Sequence, residues 1–242
     1  MPYGAPVTPD LVAVLQRETS AIGELLAAGD LGTAVPSCPG WTLADLGRHT
    51  AGVHLWAAEA LRGTAPPGGE DPGPADDADV PAWYAAAAAT LLDTLARTHP
   101  ATPCWTFHPG DRSAAFWQRR QAHETTLHRW DAEHALVRTA GIDTAVALDG
   151  IDEVLDTFLP RQVRLGRIAS STDVVDLVPD EGRAVRPVTT GDPGSHLVGA
   201  VRGPAGALLL LLWRRIGPTD PRLVVTGDPA AVHRCLDRPL TP

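Results

Sequence analysis

Three residues of this 242-residue chain, His49, Glu124 and His128, combine types and spacing suited to holding a metal ion. Glu124 and His128 stand one helical turn apart, so a helix lets them offer a carboxylate oxygen and an imidazole nitrogen to the same ion. A helical wheel puts Trp117, Gln121, Glu124, His128 and Ala135 on one stripe and leaves His123 and His134 well off it. In an earlier helical stretch His49 shares its direction with Leu46, Val53, Trp56 and Ala60, which turns it toward a core. His54, five residues on, points about 140 degrees away. A ligand from each of two facing helices completes a three-ligand site with a position left open, the arrangement of catalytic rather than structural zinc. Asp131, one turn after His128, is placed to hold that ring from behind, or else to pair with Arg129 or Arg138 on the surface. Taken singly, Glu124 and His128 also suit a solvated pair and His49 a satisfied core histidine. Three ligand types on inward faces of two helices favour the metal.

The elements that must position these residues read as a helical bundle. Leu11, Val14, Leu15, Ile22, Leu25 and Leu26 recur at helical spacing after Thr8, and Gly29 stops them. The turn 35–41 is rigid with Pro36 and Pro39, and Thr42 with Asp45 then forms a capping-box start for a helix running to about Leu61. Residues 64–80, with Pro66, Pro67, Gly68, Gly69, Asp76 and Asp77, read as an exposed loop. A third helix spans 83–99, a loop follows with Cys104, Trp105, Phe107 and His108, and a long fourth helix covers 112–138. A fifth is expected from after Asp149 to Arg167. Beyond Ser171 the texture changes to short β-branched runs, 174–178 and 223–225, with helices at 204–214 and 229–236. The predicted fold is mainly α, a four-helix bundle over 1–168 followed by a small α+β domain over 169–242.

Composition narrows the function. Twenty basic residues, all Arg, stand against 29 acidic ones for a net charge of -9, which argues against a nucleic-acid partner. The stretch beginning Met1-Pro2-Tyr3-Gly4 has no signal-peptide character, and the longest apolar run, 205–213, is too short to span a bilayer. A soluble cytoplasmic protein without membrane association is expected. Cys38, Cys104 and Cys235 are odd in number and widely spaced, so they form neither a disulfide framework nor a Cys-x-x-Cys knuckle.

The stretches Cys38-Pro39-Gly40-Trp41-Thr42, Asp45-Leu46 through His49-Thr50-Ala51-Gly52-Val53-His54, and Glu124-Thr125-Thr126-Leu127-His128-Arg129-Trp130-Asp131-Ala132-Glu133 resemble the mycothiol-dependent maleylpyruvate isomerases, a branch of the DinB-like metal-binding bundles. The tail resembles that family's C-terminal domain through 201–205, 211–215 and 225–229. The resemblance implies that His49, Glu124 and His128 bind a divalent metal, usually zinc, and that mycothiol, a low-molecular-weight thiol of actinobacteria, binds with its sulfur at the metal. It also implies an arginine of the C-terminal domain acting on the substrate. Arg215 is the expected counterpart, with Arg214 close behind because the local pattern is doubled.

Physical chemistry supports such a use of a thiol. A free thiol with a pKa near ~8.5 is mostly protonated at neutral pH, and a dication removes that proton. Addition to an activated alkene followed by elimination gives a cis–trans isomerase, whereas displacement of a leaving group gives an S-transferase. The expected partners are therefore an electrophilic small molecule and a small thiol. The competing readings are a non-catalytic metal- or ligand-binding bundle, disfavoured by the intact triad because a merely structural bundle has no need of three inward polar residues, and a zinc-containing redox regulator, for which the chain lacks a His-x-x-x-Cys-x-x-Cys arrangement.

Overall fold

A computed structural model describes residues 9–63, 68–69, 71–138 and 141–242. The expectations about Met1–Gly4 and about Pro66 and Pro67 concern residues outside that set. The chain divides into two compact units, 9–141 and 142–242.

The first unit is the bundle. It consists of α1 (Leu11–Ala28), α2 (Leu43–Arg62), α3 (Val80–Arg97) and α4 (Ala114–Ala135). Each start has a local cause. Asp10 accepts from the Ala13 N–H at the head of α1, Pro81 sits in the first turn of α3, and α2 carries the full capping box of Thr42 and Asp45. Residues 33–43 fold back on themselves: Val35 N–H donates to Trp41 C=O at 2.9 Å, and Leu43 N–H to Thr33 C=O at 2.9 Å. Gly40 takes φ +87°, which a side chain would resist, and so lets the turn swing Trp41 back beside Cys38.

Ile22, Leu25, Leu26, Leu43, Leu46, Tyr84, Ala87 and Ala132 share one buried cluster. α2 packs on both α3 and α4, and α1 on α4. Helix α2 is buried nearly all round, because Ala51, Gly52, Ala57 and Ala58 let its neighbours approach closely. The α1–α4 seam also holds a buried ion network, in which Arg129 donates to Glu18 Oε2 at 2.5 Å and to Glu133 Oε2 at 2.6 Å. Such a network suits register better than net stability. Residues 71–79 are mostly exposed, as expected of that loop.

The second unit contains a sheet ordered β2-β1-β3-β4, from β1 (Asp173–Pro179), β2 (Arg186–Val188), β3 (His196–Gly203) and β4 (Val224–Gly227). β1 and β3 are parallel and both edges antiparallel, with Leu177 opposite Val201 and Val201 opposite Val225. Helices α7 (Ala205–Leu212) and α8 (Pro229–Leu236) follow β3 and β4. Strands β2 and β3 were not foreseen, since Pro187 and the glycines of β3 interrupt the apolar pattern that marks β1.

A continuous helical stretch precedes the sheet: α5 (Thr144–Glu153), a π-helical segment (Val154–Phe158) and α6 (Leu159–Arg164). It begins earlier than expected, because the Asp143 carboxylate rather than Asp149 accepts from the first free N–H groups, those of Ala145 and Val146. The boundary expected at residue 168 falls inside this unit, since α5 packs on α7. A Cβ at Gly150 would lie 3.1 Å from the Leu209 side chain, so the two helices meet there almost backbone to side chain. Among the described residues no helix is long and apolar enough to cross a membrane.

Candidate metal centre

α2 and α4 run antiparallel across the bundle, which lays His49 against Glu124 and Trp56 against Trp117. The His49 and Trp56 wheel positions therefore meet the Glu124 stripe as the spacing predicts. His49 Nε2 lies 3.3 Å from Glu124 Oε1, and His128 Nε2 lies 3.2 Å from the same oxygen. The two imidazole rings are 5.0 Å apart, edge to face. Ligand atoms of all three residues fall within 4.8 Å of one another. One oxygen and two imidazole nitrogens converging on one point is a donor set that fits a divalent ion of borderline softness such as zinc. His49 retains 26% of its side-chain exposure and His128 only 7%, so the site opens on the α2 side.

The surroundings fix each ligand. The back of the His128 ring meets Asp131, whose Oδ2 is 3.0 Å from Nδ1 and which is fully buried, so Asp131 takes the inward role and not the surface pairing. Cys38 Sγ lies 3.6 Å from that same Asp131 oxygen. This places Cys38 behind His128, in contact with Asp131, rather than in simple packing, and Cys38, His128 and Asp131 form a second group of donors able to hold a metal. Trp41 covers the site, its ring 4.9 Å from His49 and 6.1 Å from His128. Arg120, one turn before Glu124, bonds Glu124 Oε2.

Charge follows from these contacts. Burial works to raise the Glu124 carboxyl, but the Arg120 guanidinium and the hydrogen bonds from His128 and His49 outweigh it and hold the group well below the usual carboxylate range. Burial likewise opposes a charged His128, yet the bonds to Asp131, Cys38 and Glu124 raise it well above the ordinary histidine value.

His54 is fully buried and its Nδ1 lies 2.8 Å from Gln121 Oε1, so this histidine also faces α4, one turn from the triad, rather than turning away from it. Burial pushes His54 down to about 4 in spite of that bond. Among the described residues His54 Nε2 and Gln121 Nε2 have no hydrogen-bond partner. Trp105 stacks with Trp117 at 6.1 Å and meets Trp56 at 5.4 Å, and Phe107 lies edge to face on Phe116 at 4.8 Å.

Arg215 belongs to the second unit. It is half-buried, its guanidinium 5.6 Å over the Trp213 ring, on a hollow of about 490 Å³ that Arg214, Leu211, Ile216, Pro218 and Leu236 also line. Arg214 is exposed, has φ +58°, and bonds the Asp237 carbonyl. Trp41 and Arg120 were missed as site residues by the sequence reading. The signal for Arg120 was present, since it precedes Glu124 by the same turn by which His128 follows it.

A family model described as the mycothiol maleylpyruvate isomerase N-terminal domain matches residues 12–133, and one described as the MDMPI C-terminal domain matches residues 145–234. The fold is similar to a crystal structure of the mycothiol-dependent maleylpyruvate isomerase, at 13% identity and a TM-score of 0.68 over 90% of this chain and 93% of that one. It is similar also to a histidine-to-alanine mutant of that isomerase, at 12% identity and a TM-score of 0.67 over the same shares of the two chains. No curated protein sequence matches the chain.

Proposed function

The chain belongs to the mycothiol maleylpyruvate isomerase family, and from that premise we propose that it is a metal-dependent enzyme that uses mycothiol against an electrophilic small molecule. The observation that carries this reading is the convergence of His49 Nε2 and His128 Nε2 on Glu124 Oε1 at 3.3 and 3.2 Å. These three residues would hold the ion, with zinc the expected metal. A dication held there supplies acidity, converting a thiol to its nucleophilic thiolate at neutral pH.

The chain's own residues do the rest. Asp131 fixes the His128 ring so that Nε2 faces the site, and Trp41 shields one side of both imidazoles from water. Arg215 is the proposed substrate-side residue; half-buried and lining a hollow, its guanidinium suits a carboxylate or another anionic group. Arg214 suits that role less well, being exposed and tied to the Asp237 carbonyl. The reaction is thiol-assisted cis–trans isomerisation if the electrophile is an activated alkene, and S-transfer if it carries a leaving group. A soluble cytoplasmic enzyme is consistent with the absence of a membrane-spanning helix among the described residues.

The test is turnover of maleylpyruvate, and of a halogenated electrophile as the S-transfer probe, with and without added mycothiol, by wild type and Glu124→Ala. Turnover that needs both the thiol and Glu124 supports the reading. Equal turnover without thiol overturns it, and the ratio of isomer to conjugate decides between the two reactions.

A further inference from the structure

Arg120 is only 4% exposed, and arginine is almost never so buried unless it is paired. Its guanidinium bonds Glu124 Oε2, while Glu124 Oε1 faces both imidazoles. A carboxylate can give a divalent ion one oxygen or two. A charge-assisted bond on Oε2 competes directly with the second of these choices. The charge count points the same way. Two neutral imidazoles, the carboxylates of Glu124 and Asp131 and one guanidinium sum to one negative charge, so a divalent ion leaves a net positive charge to attract an anionic ligand. An ion pair serving the bundle alone would gain little from such a place, because buried pairs contribute weakly to net stability.

We infer that Arg120 is a positioning residue: it reserves one oxygen of Glu124, so that a metal receives a single carboxylate oxygen, and it keeps the site positive enough to draw a thiol as its anion. The inference rests on reading His49, Glu124 and His128 as a metal centre. It separates two quantities that a purely structural role would move together. Removing Arg120 frees the second oxygen and takes a positive charge away, so metal is held as tightly or more tightly while thiol is held less.

The experiment loads metal-free protein with cobalt(II) alone and then titrates mycothiol, following the visible cobalt bands and the thiolate-to-cobalt charge-transfer absorption. Wild type is expected to show the intense visible bands of four-coordinate cobalt. Arg120→Met should bind cobalt no more weakly than wild type, with weaker visible bands from a higher coordination number. Its mycothiol affinity should fall by at least about tenfold, as one charge at an effective dielectric near ~20 implies. Arg120→Lys, which keeps the charge, should recover most of the thiol affinity. Where circular dichroism shows Arg120→Met unfolded, Arg120→Gln, with a donor but no charge, should keep the wild-type bands and lose the thiol affinity. Cobalt and thiol affinities that fall in parallel, or Arg120→Met bands like those of wild type, overturn the inference. Failure of wild type itself to take up cobalt overturns the metal reading, and the inference with it.

Discussion

Asp131 Oδ2 lies 3.0 Å from His128 Nδ1, on the side of the ring away from Glu124. The bond keeps the Nδ1 proton on the Asp131 side, so that when His128 gives up its second proton it is Nε2 that is left free toward the site, the state in which imidazole can ligate. Asp131 is fully buried and one turn along the same helix, so the helix that carries the ring also holds it from behind.

Asp131→Asn should lower metal affinity by about 10- to 100-fold, the usual effect of losing the group that orients a ligating histidine. Competition against a chelator of known strength measures it. An unchanged affinity would show that Asp131 only fills space behind the ring.

His49→Ala and His128→Ala should each remove the metal, whereas His134→Ala, on an exposed position of the same helix as His128, should retain it. Elemental analysis of purified proteins decides the matter. Equal metal content in all of them would place the ion elsewhere.

Cys38→Ala should stay thiol-dependent and keep most of its activity. The Cys38 sulfur faces Asp131, behind the His128 ring, which suits support of that ring better than attack on a substrate. The loss should be smaller than that of Asp131→Asn. Full turnover without added thiol, abolished by Cys38→Ala alone, would make Cys38 the nucleophile.

The metal-free protein should lose stability as pH falls from 6.5 to about 4. His54 titrates near 4 when folded and near 6.5 when unfolded, so in that window the unfolded chain takes up a proton that the folded one refuses. The loss is on the order of 3 kcal/mol across the window. His128 leaves this window flat, because its raised folded value makes its contribution complete below 6.5 and removes it only as pH rises further. Urea denaturation at pH 7 and 4.5 of wild type and His54→Leu tests the assignment, with a clearly smaller drop expected in the variant. The same drop in both would assign the acid sensitivity to other groups.

Much of the site was legible because helices are periodic. The four-residue spacing of Glu124 and His128, and the wheel position of His49, needed nothing beyond the pitch of a helix and an apolar stripe. The capping box at Thr42 and Asp45 was equally local, and it appears as expected. What could not be read depends on contacts distant in sequence. Cys38 and Asp131 are separated by 93 residues, and only the fold of residues 33–43 brings the sulfur behind His128. His54 misled for a related reason. A wheel gives one inward direction per helix, but α2 packs against both α3 and α4 and is buried on several sides. In the second unit β1 was found by its unbroken β-branched run, whereas β3, with Gly199 and Gly203, becomes a strand through its register with β1.

The π-helical segment Val154–Phe158 uncouples chain length from direction. Its wider winding holds one residue more than a regular turn would, and Phe158, its last residue, meets Trp213 edge to face at 5.4 Å. Deleting one residue there would restore regular winding and leave the following side chains near their present directions, whereas the same deletion in a regular helix turns everything after it by about 100 degrees. The segment is thus slack in the chain, and a codon lost there would be taken up in the winding before it disturbed the indole on which the Arg215 guanidinium rests.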